Sequence, residues 1–467
     1  MTTPPSAEPP GRTAALISRM SRGRISLSEL SGSETAKAAG LAGSMIANNV
    51  IALASTVVFA RLLSDYGSLA ALVSYFLILS VVGQALQVAT AREGVLGHLG
   101  VGAGLTATVG RWTRTMVVVT VAVSIISVLL RVPIAQAVGV RHDVWAAALG
   151  LPAAALWMEL SILRGVLQAV GDYKGVGLSL IGEQGTRLIV GAILAGGGLG
   201  VTGAYLGTPL SFVAMGLFCA ARLRRHVAQL TGAERAPTAA TAAAISLWSH
   251  VRRAWAPIAG LIVIAVLQNI DIIAAKHRFS TSVASSYGAT AVAAKVLIWV
   301  AMGAGFYLVP EVSRRRAAGE DTRPILFRAL GIVAVCAIPV LLIFGFEAHL
   351  LLKAAFGAKR LKAQDSLIVL GLAFAVLAAT YLAIQYMLAL QRTWFLIAIA
   401  AVAVAEPIML LNASRRPAGF AAVVLAVQAA GALVAFGFAL RREPPLPPAP
   451  GGPAPVAPGT PRVPEPV

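Results

Sequence analysis

Apolar runs of about twenty residues recur along nearly the whole chain, and this constrains the fold more than any other feature. A helix rising about 1.5 Å per residue needs about 20 apolar residues to cross a bilayer core. Twelve runs meet that need. Six lie near 38–60, 68–90, 116–132, 144–163, 175–199 and 201–221, and six near 255–275, 283–309, 327–346, 366–390, 393–413 and 419–440. A membrane β-barrel would instead alternate over segments of about 10 residues. Only 12% of the 467 residues are charged, against about 25% in soluble domains. The expected fold class is all-α, a polytopic membrane protein of about 12 transmembrane helices.

Charge in the loops sets the expected orientation. With the N-terminus inside, Lys and Arg fall 25 against 11 in favour of the inner loops, which predicts cytoplasmic N- and C-termini. Topology and anionic lipid headgroups account for the net charge of +19, so membrane lipids and not nucleic acid are the expected partners of the basic loops. Residues 1–36 read as a disordered cytoplasmic tail without an apolar leader segment. Residues 441–467 are Pro-rich and read as a second such tail.

An Ala/Thr-rich linker, 223–254, divides the chain into an N-terminal six-helix bundle, 37–222, and a C-terminal one, 255–440. Each half begins with a span, a short basic turn and a Tyr-Gly pair that opens the next span: Tyr66-Gly67 and Tyr287-Gly288. Both hairpins enter from the same side. The halves therefore read as a parallel repeat, two six-helix bundles related by a pseudo-two-fold axis along the membrane normal.

Charges inside spans are the candidate functional residues, because each costs about 3 kcal/mol near the bilayer centre. Asp271 and Lys295 lie on consecutive helices, to pair or to line a polar cavity between the bundles. Gln268 and Asn269 are neighbours that would add hydrogen bonds there, or would only hold helices together. Glu183 and Arg187, four apart, share a helix face, either as a structural pair or as a phosphate-binding arginine with its counter-ion. Asn48 and Asn49, with Gln84 and Gln87, bring amides to the matching hairpin of the first half. Glu159 is placed to pair with Arg164 near an inner span end, and Glu406 precedes Pro407 in the eleventh span. Arg61 and Lys276 hold corresponding outer helix ends, where they would draw an anionic headgroup or snorkel.

Several chemistries find no residues to carry them. There is no G-x-x-x-x-G-K-[ST] loop for ATP and no His/Cys cluster at metal-ligand spacing, so no metal, cofactor or catalytic residue is expected. The chain reads as a transporter and not as an enzyme. Cys219 and Cys336 read as small core residues.

The stretch NIDIIAAKHRFSTSVASSYGATAVAAKVLIWVAMGAGFYLVPEVSRR resembles the seventh and eighth helices of polysaccharide/oligosaccharide flippases of the multidrug/oligosaccharidyl-lipid/polysaccharide exporter superfamily. Asp271, Lys295 and Pro310 match the pattern there, although Tyr287-Gly288 reverses the usual order of its pair. FARLLSDYGSLAAL resembles that family's opening signature at Ala60–Leu63 and Tyr66-Gly67. The resemblance implies a cationic cavity and alternating access that moves a polyprenyl-diphosphate-linked oligosaccharide, a precursor of exopolysaccharide, capsule or O-antigen, from the inner to the outer leaflet of a bacterial cytoplasmic (inner) membrane. Substrate binding is then expected at Arg187, Lys295, Arg61, Asn49, Gln268 and Asn269, and coupling to a proton or sodium ion at Asp271 and Glu183. Glycan polymerase machinery is a candidate partner. The alternative is a proton- or sodium-coupled exporter of drugs or small molecules from the same superfamily. A third class, a scaffold or polymerase-like membrane protein, is disfavoured by the short outer loops.

Overall fold

The computed structural model describes residues 34–100, 102–231, 252 and 255–441. The tail before residue 34, the linker beyond residue 231 except Arg252, and the Pro-rich tail beyond 441 lie outside the described residues. The rest is helical, with no strand among the described residues. Among the described residues, ten helical runs are long and apolar enough to cross a membrane. One of them, Tyr173–His226, folds back on itself, and the shorter apolar helix Phe395–Leu411 completes twelve transmembrane helices.

The first bundle holds α1 (Glu34–Leu62), α2 (Tyr66–Val95), α3 (Ala103–Leu129), α4 (Val144–Ala169), α5 (Tyr173–Leu194) and α6 (Gly200–Thr231). The second holds α7 (Trp255–Arg278), α8 (Thr281–Ala294 continuing as Val296–Ala317), α9 (Arg323–Phe346), α10 (Leu367–Ala389), α11 (Phe395–Leu411) and α12 (Pro417–Ala439). The core of the first bundle lies where α2 packs on α4 and α5 on α6, and that of the second where α10 packs on α12 and α8. Two short helices, Arg131–Val138 and Ala348–Phe356, lie in the α3–α4 and α9–α10 connections.

Local chemistry explains several boundaries. Asp65 caps α2 by accepting from the Ser68 amide, and Asp172 caps α5 by accepting from the Gly175 amide, each satisfying a backbone donor that the helix leaves open. Pro417 opens α12, where its missing N–H costs nothing. Between α5 and α6 the chain reverses within five residues, with Gly198 at φ 102° and Gly200 at φ 51°; a side chain is strained in that backbone region.

Two expectations need correction. The helix of the third span begins at Ala103, well before the expected 116, and carries Arg111 and Arg114 exposed on its surface. The tight Gly196–Gly198 turn joins two helices of 22 and 32 residues, as expected from the two runs there. The sixth span runs nine residues into the expected linker, to Thr231.

Small residues allow the close helix contacts that drive packing in lipid. A Cβ on Gly207 of α6 would stand 2.7 Å from the Arg187 carbonyl oxygen and 2.9 Å from Gly191 Cα of α5. Gly207→Val is expected to push these helices apart and to cost about 1–3 kcal/mol, read as a lower unfolding midpoint in detergent.

Candidate functional site

Each bundle encloses one buried ionic cluster. In the first bundle, Glu183 of α5 lies between two arginines. Its Oε2 forms an ion pair with Arg164 Nη2 of α4 at 2.9 Å, and its Oε1 accepts from Arg187 Nη2 at 2.9 Å. Arg164 is fully buried. It also donates from Nε to Ser179 Oγ and from Nη2 to the Ser179 carbonyl, both at 2.8 Å. Aromatic faces cover both guanidiniums: Trp157 lies 5.5 Å from Arg164, and Phe212 of α6 lies 5.5 Å from Arg187. Two guanidiniums on one carboxylate leave a formal surplus of one positive charge. Arg187 Nε, Arg164 Nη1 and the Tyr205 hydroxyl are buried with no hydrogen-bond partner.

The second cluster uses four helices. Asp271 of α7 is fully buried; it accepts from the Tyr287 hydroxyl at 3.2 Å and stands 3.7 Å from Lys295 Nζ. Lys295 also donates to Asn269 Oδ1 at 3.2 Å and lies over the Phe374 ring at 5.5 Å. α8 breaks at Lys295: its amide closes a helical turn to Ala291, while its carbonyl accepts from Ile298 three residues on. Glu406 of α11 is fully buried within electrostatic reach of both Asp271 and Lys295. Gln428 of α12 bridges to it, donating to Glu406 Oε1 at 3.4 Å and to the Leu267 carbonyl at 2.8 Å. Three buried acceptors here, Asp271 Oδ1, Glu406 Oε2 and Gln428 Oε1, have no hydrogen-bond partner.

The structure therefore brings together Asp271, Lys295 and Asn269, and separately Glu183 and Arg187. Helices of its own bundle enclose each cluster, where the sequence reading expected one hollow shared between the bundles. Gln268 is half-buried on α7 beside the second cluster. Asn49 is exposed on α1 and accepts from Asn48 Nδ2 at 3.3 Å. Arg164, read from sequence as an inner-loop residue paired with Glu159, is inside α4 and paired with Glu183. The apolar run of α4 continues past it to Ala169, and a residue on α5, not one on its own helix, answers its charge.

Arg61 joins neither cluster. It sits at one end of the molecule, where the bundles meet, and donates to the Ala354 and Ala355 carbonyls. Lys276 is there too, 2.7 Å from Asp65 Oδ2. Both side chains bind across the seam between bundles. Burial raises the Asp65 carboxyl, but the hydrogen bond and charge of Lys276, with the hydroxyl and amide of Ser68, outweigh it and hold the group below the usual carboxylate range. Neighbouring Asp143 is pushed the other way, first by burial and then by the charge of Asp65.

No protein-family model and no curated protein sequence matches the chain. Solved structures do match in fold, among them transporters described as members of the MOP superfamily. Lipid II flippase MurJ in an inward closed conformation aligns over 85% of this chain and 87% of its own, with a TM-score of 0.66 at 16% identity. An inward-facing multidrug resistance transporter of the MATE family aligns over 84% and 93%, with a TM-score of 0.63 at 13% identity. An outward-facing MATE transporter covers 87% and 95% but reaches only 0.50, at 15% identity. At such identities the likeness is one of fold.

Proposed function

We propose that this chain is a flippase that carries a polyprenyl-diphosphate-linked oligosaccharide across a bacterial inner membrane by alternating access between its two bundles. One observation carries the reading: the first bundle buries two guanidiniums against a single carboxylate, with Arg187 partly exposed and its Nε unbonded. A buried surplus cation is costly unless an anion answers it, and an arginine fork suits the oxygens of a diphosphate. Arg187 is the group that would meet the diphosphate, Glu183 its holder between substrates, and Arg164 the fixed anchor of Glu183. Lys295, Gln268, Asn269 and Asn49 stay candidates for contact with the glycan headgroup.

In the second bundle the buried carboxylates Asp271 and Glu406, each with an oxygen that has no hydrogen-bond partner, suit a coupling proton or sodium ion. The same feature favours the second reading, a cation-coupled exporter of drugs, and likeness to both a lipid flippase and a multidrug transporter leaves that choice to the charges. Proteoliposomes decide it. A fluorescent polyprenyl-diphosphate disaccharide is expected to become accessible to a membrane-impermeant quencher in the outer leaflet, while efflux of a cationic dye stays at the protein-free rate. Dye efflux without movement of the lipid would overturn the flippase reading in favour of the exporter.

A further inference from the structure

The two bundles are joined at one end by reciprocal contacts. Arg61, at the C-terminal end of α1, donates to the last carbonyls of the short helix Ala348–Phe356, those of Ala354 and Ala355. Arg360, just beyond that helix, donates to carbonyls at and just past the end of α1, with Nε 3.1 Å from the Ala60 oxygen and Nη2 bonded to the Leu63 oxygen. Each arginine thus caps the helix terminus of the opposite bundle, where carbonyls without intrahelical partners and the negative end of the helix dipole favour a cation. Arg360 also lies 5.9 Å from the Tyr66 ring.

The repeated Tyr-Gly pairs lie between these caps. A Cβ on Gly67 of α2 would stand 3.0 Å from the Ser285 amide nitrogen of α8, and one on Gly288 of α8 would stand 3.1 Å from Ala70 Cβ and 3.8 Å from the Tyr66 ring. The Gly67 amide donates to Ser285 Oγ at 2.9 Å. The Asp65–Lys276 ion pair and the 2.9 Å contact from His277 Nε2 to the Ala137 carbonyl flank the seam at the same end.

We propose that this seam is a latch: Arg61 and Arg360 exchange helix caps across it, Gly67 and Gly288 let α2 and α8 close against each other, and its opening is the step that turns the protein from one facing state to the other. The repeat explains the glycine contact alone: two copies of a hairpin related by a two-fold axis meet at the axis, so Gly288 faces the Tyr66 ring and Gly67 faces Ser285, whereas Arg61 ends α1 and Arg360 lies in the α9–α10 connection. An account by simple packing would require the glycines but not the exchanged arginine caps. The proposal rests on the transporter reading above, though its test needs no substrate.

The test is a distance measurement between spin labels at exposed Arg141 and Arg415, one on each bundle at the latch end, with Cys219→Ala and Cys336→Ser to leave only the labelled thiols. The parent protein is expected to show mainly the short distance. Arg61→Gln removes two charge-assisted bonds by changing one exposed residue and is expected to raise the long-distance population about tenfold; Gly67→Val is expected to do so through steric wedging. If Gly67→Val does not fold, Arg61→Gln and Asp65→Asn carry the test. Unchanged distances in variants that fold would overturn the latch without touching the substrate assignment. Lipid movement that fails in proteoliposomes while the distances shift as expected would overturn the substrate assignment and leave the latch standing.

Discussion

Glu183→Ala is expected to destabilise the protein by about 3–5 kcal/mol, the usual cost of removing one partner from a buried ion pair. Two guanidiniums would then face each other inside α4–α6 with no carboxylate between them, one of them fully buried. Ser179 would still hold Arg164, so the loss should fall first on the position of Arg187. Thermal unfolding in detergent reads the effect as a lower midpoint and a smaller folded fraction after purification. The triple change Arg164→Met, Glu183→Leu and Arg187→Met separates stability from function. It removes every charge of the cluster at similar volume, and such replacements are often neutral or stabilising. The triple variant should recover much of the midpoint and none of the transport. If Glu183→Ala unfolds at the parent temperature, the cluster is not the strained, enclosed arrangement described here.

The second large effect is expected at Arg187 itself. Arg187→Ala leaves the Arg164–Glu183 pair intact, so the fold should hold. Loss of a guanidinium that binds phosphate oxygens by charge-assisted bonds, each contributing about 1.5–3 kcal/mol, should slow lipid movement about 10- to 100-fold. Arg187→Lys keeps the charge and loses the fork, and an intermediate rate is expected because an ammonium binds as a point charge. Lipid-linked glycan held in the inner leaflet of cells that produce the variant is a second readout.

Much of the fold is legible in the sequence because hydropathy acts locally. A run of twenty apolar residues in a bilayer has few options besides a helix, so most spans fall near their expected positions. The start of α3 and the end of α6 are misplaced: Arg111 and Arg114 look like loop charges and are helix surface, and α6 continues to Thr231. The hairpin with Asp271 and Lys295 is legible for the same reason, since both residues lie on one continuous α7–α8 stretch. The partners of these groups are not legible. Arg164 and Glu183 come from two helices, and nothing in the spacing along either one pairs them. Glu406 is visible as a charge beside Pro407, but its approach to Asp271 and Lys295 depends on how α11 packs on α7. Gln428 and Arg360 carry no local mark: an amide in an apolar run reads as helix glue, and a basic residue in a short loop reads as topology. Tertiary contact, and not spacing, gives both their roles.

The most direct test of the central claim is the rate at which a fluorescent polyprenyl-diphosphate disaccharide crosses the bilayer of proteoliposomes that hold either the parent protein or Arg187→Ala at matched, folded amounts. Rapid crossing is expected with the parent and crossing about 10- to 100-fold slower with the variant. Equal crossing by both would contradict the claim, since the buried surplus charge of the first bundle would then have no part in moving the lipid.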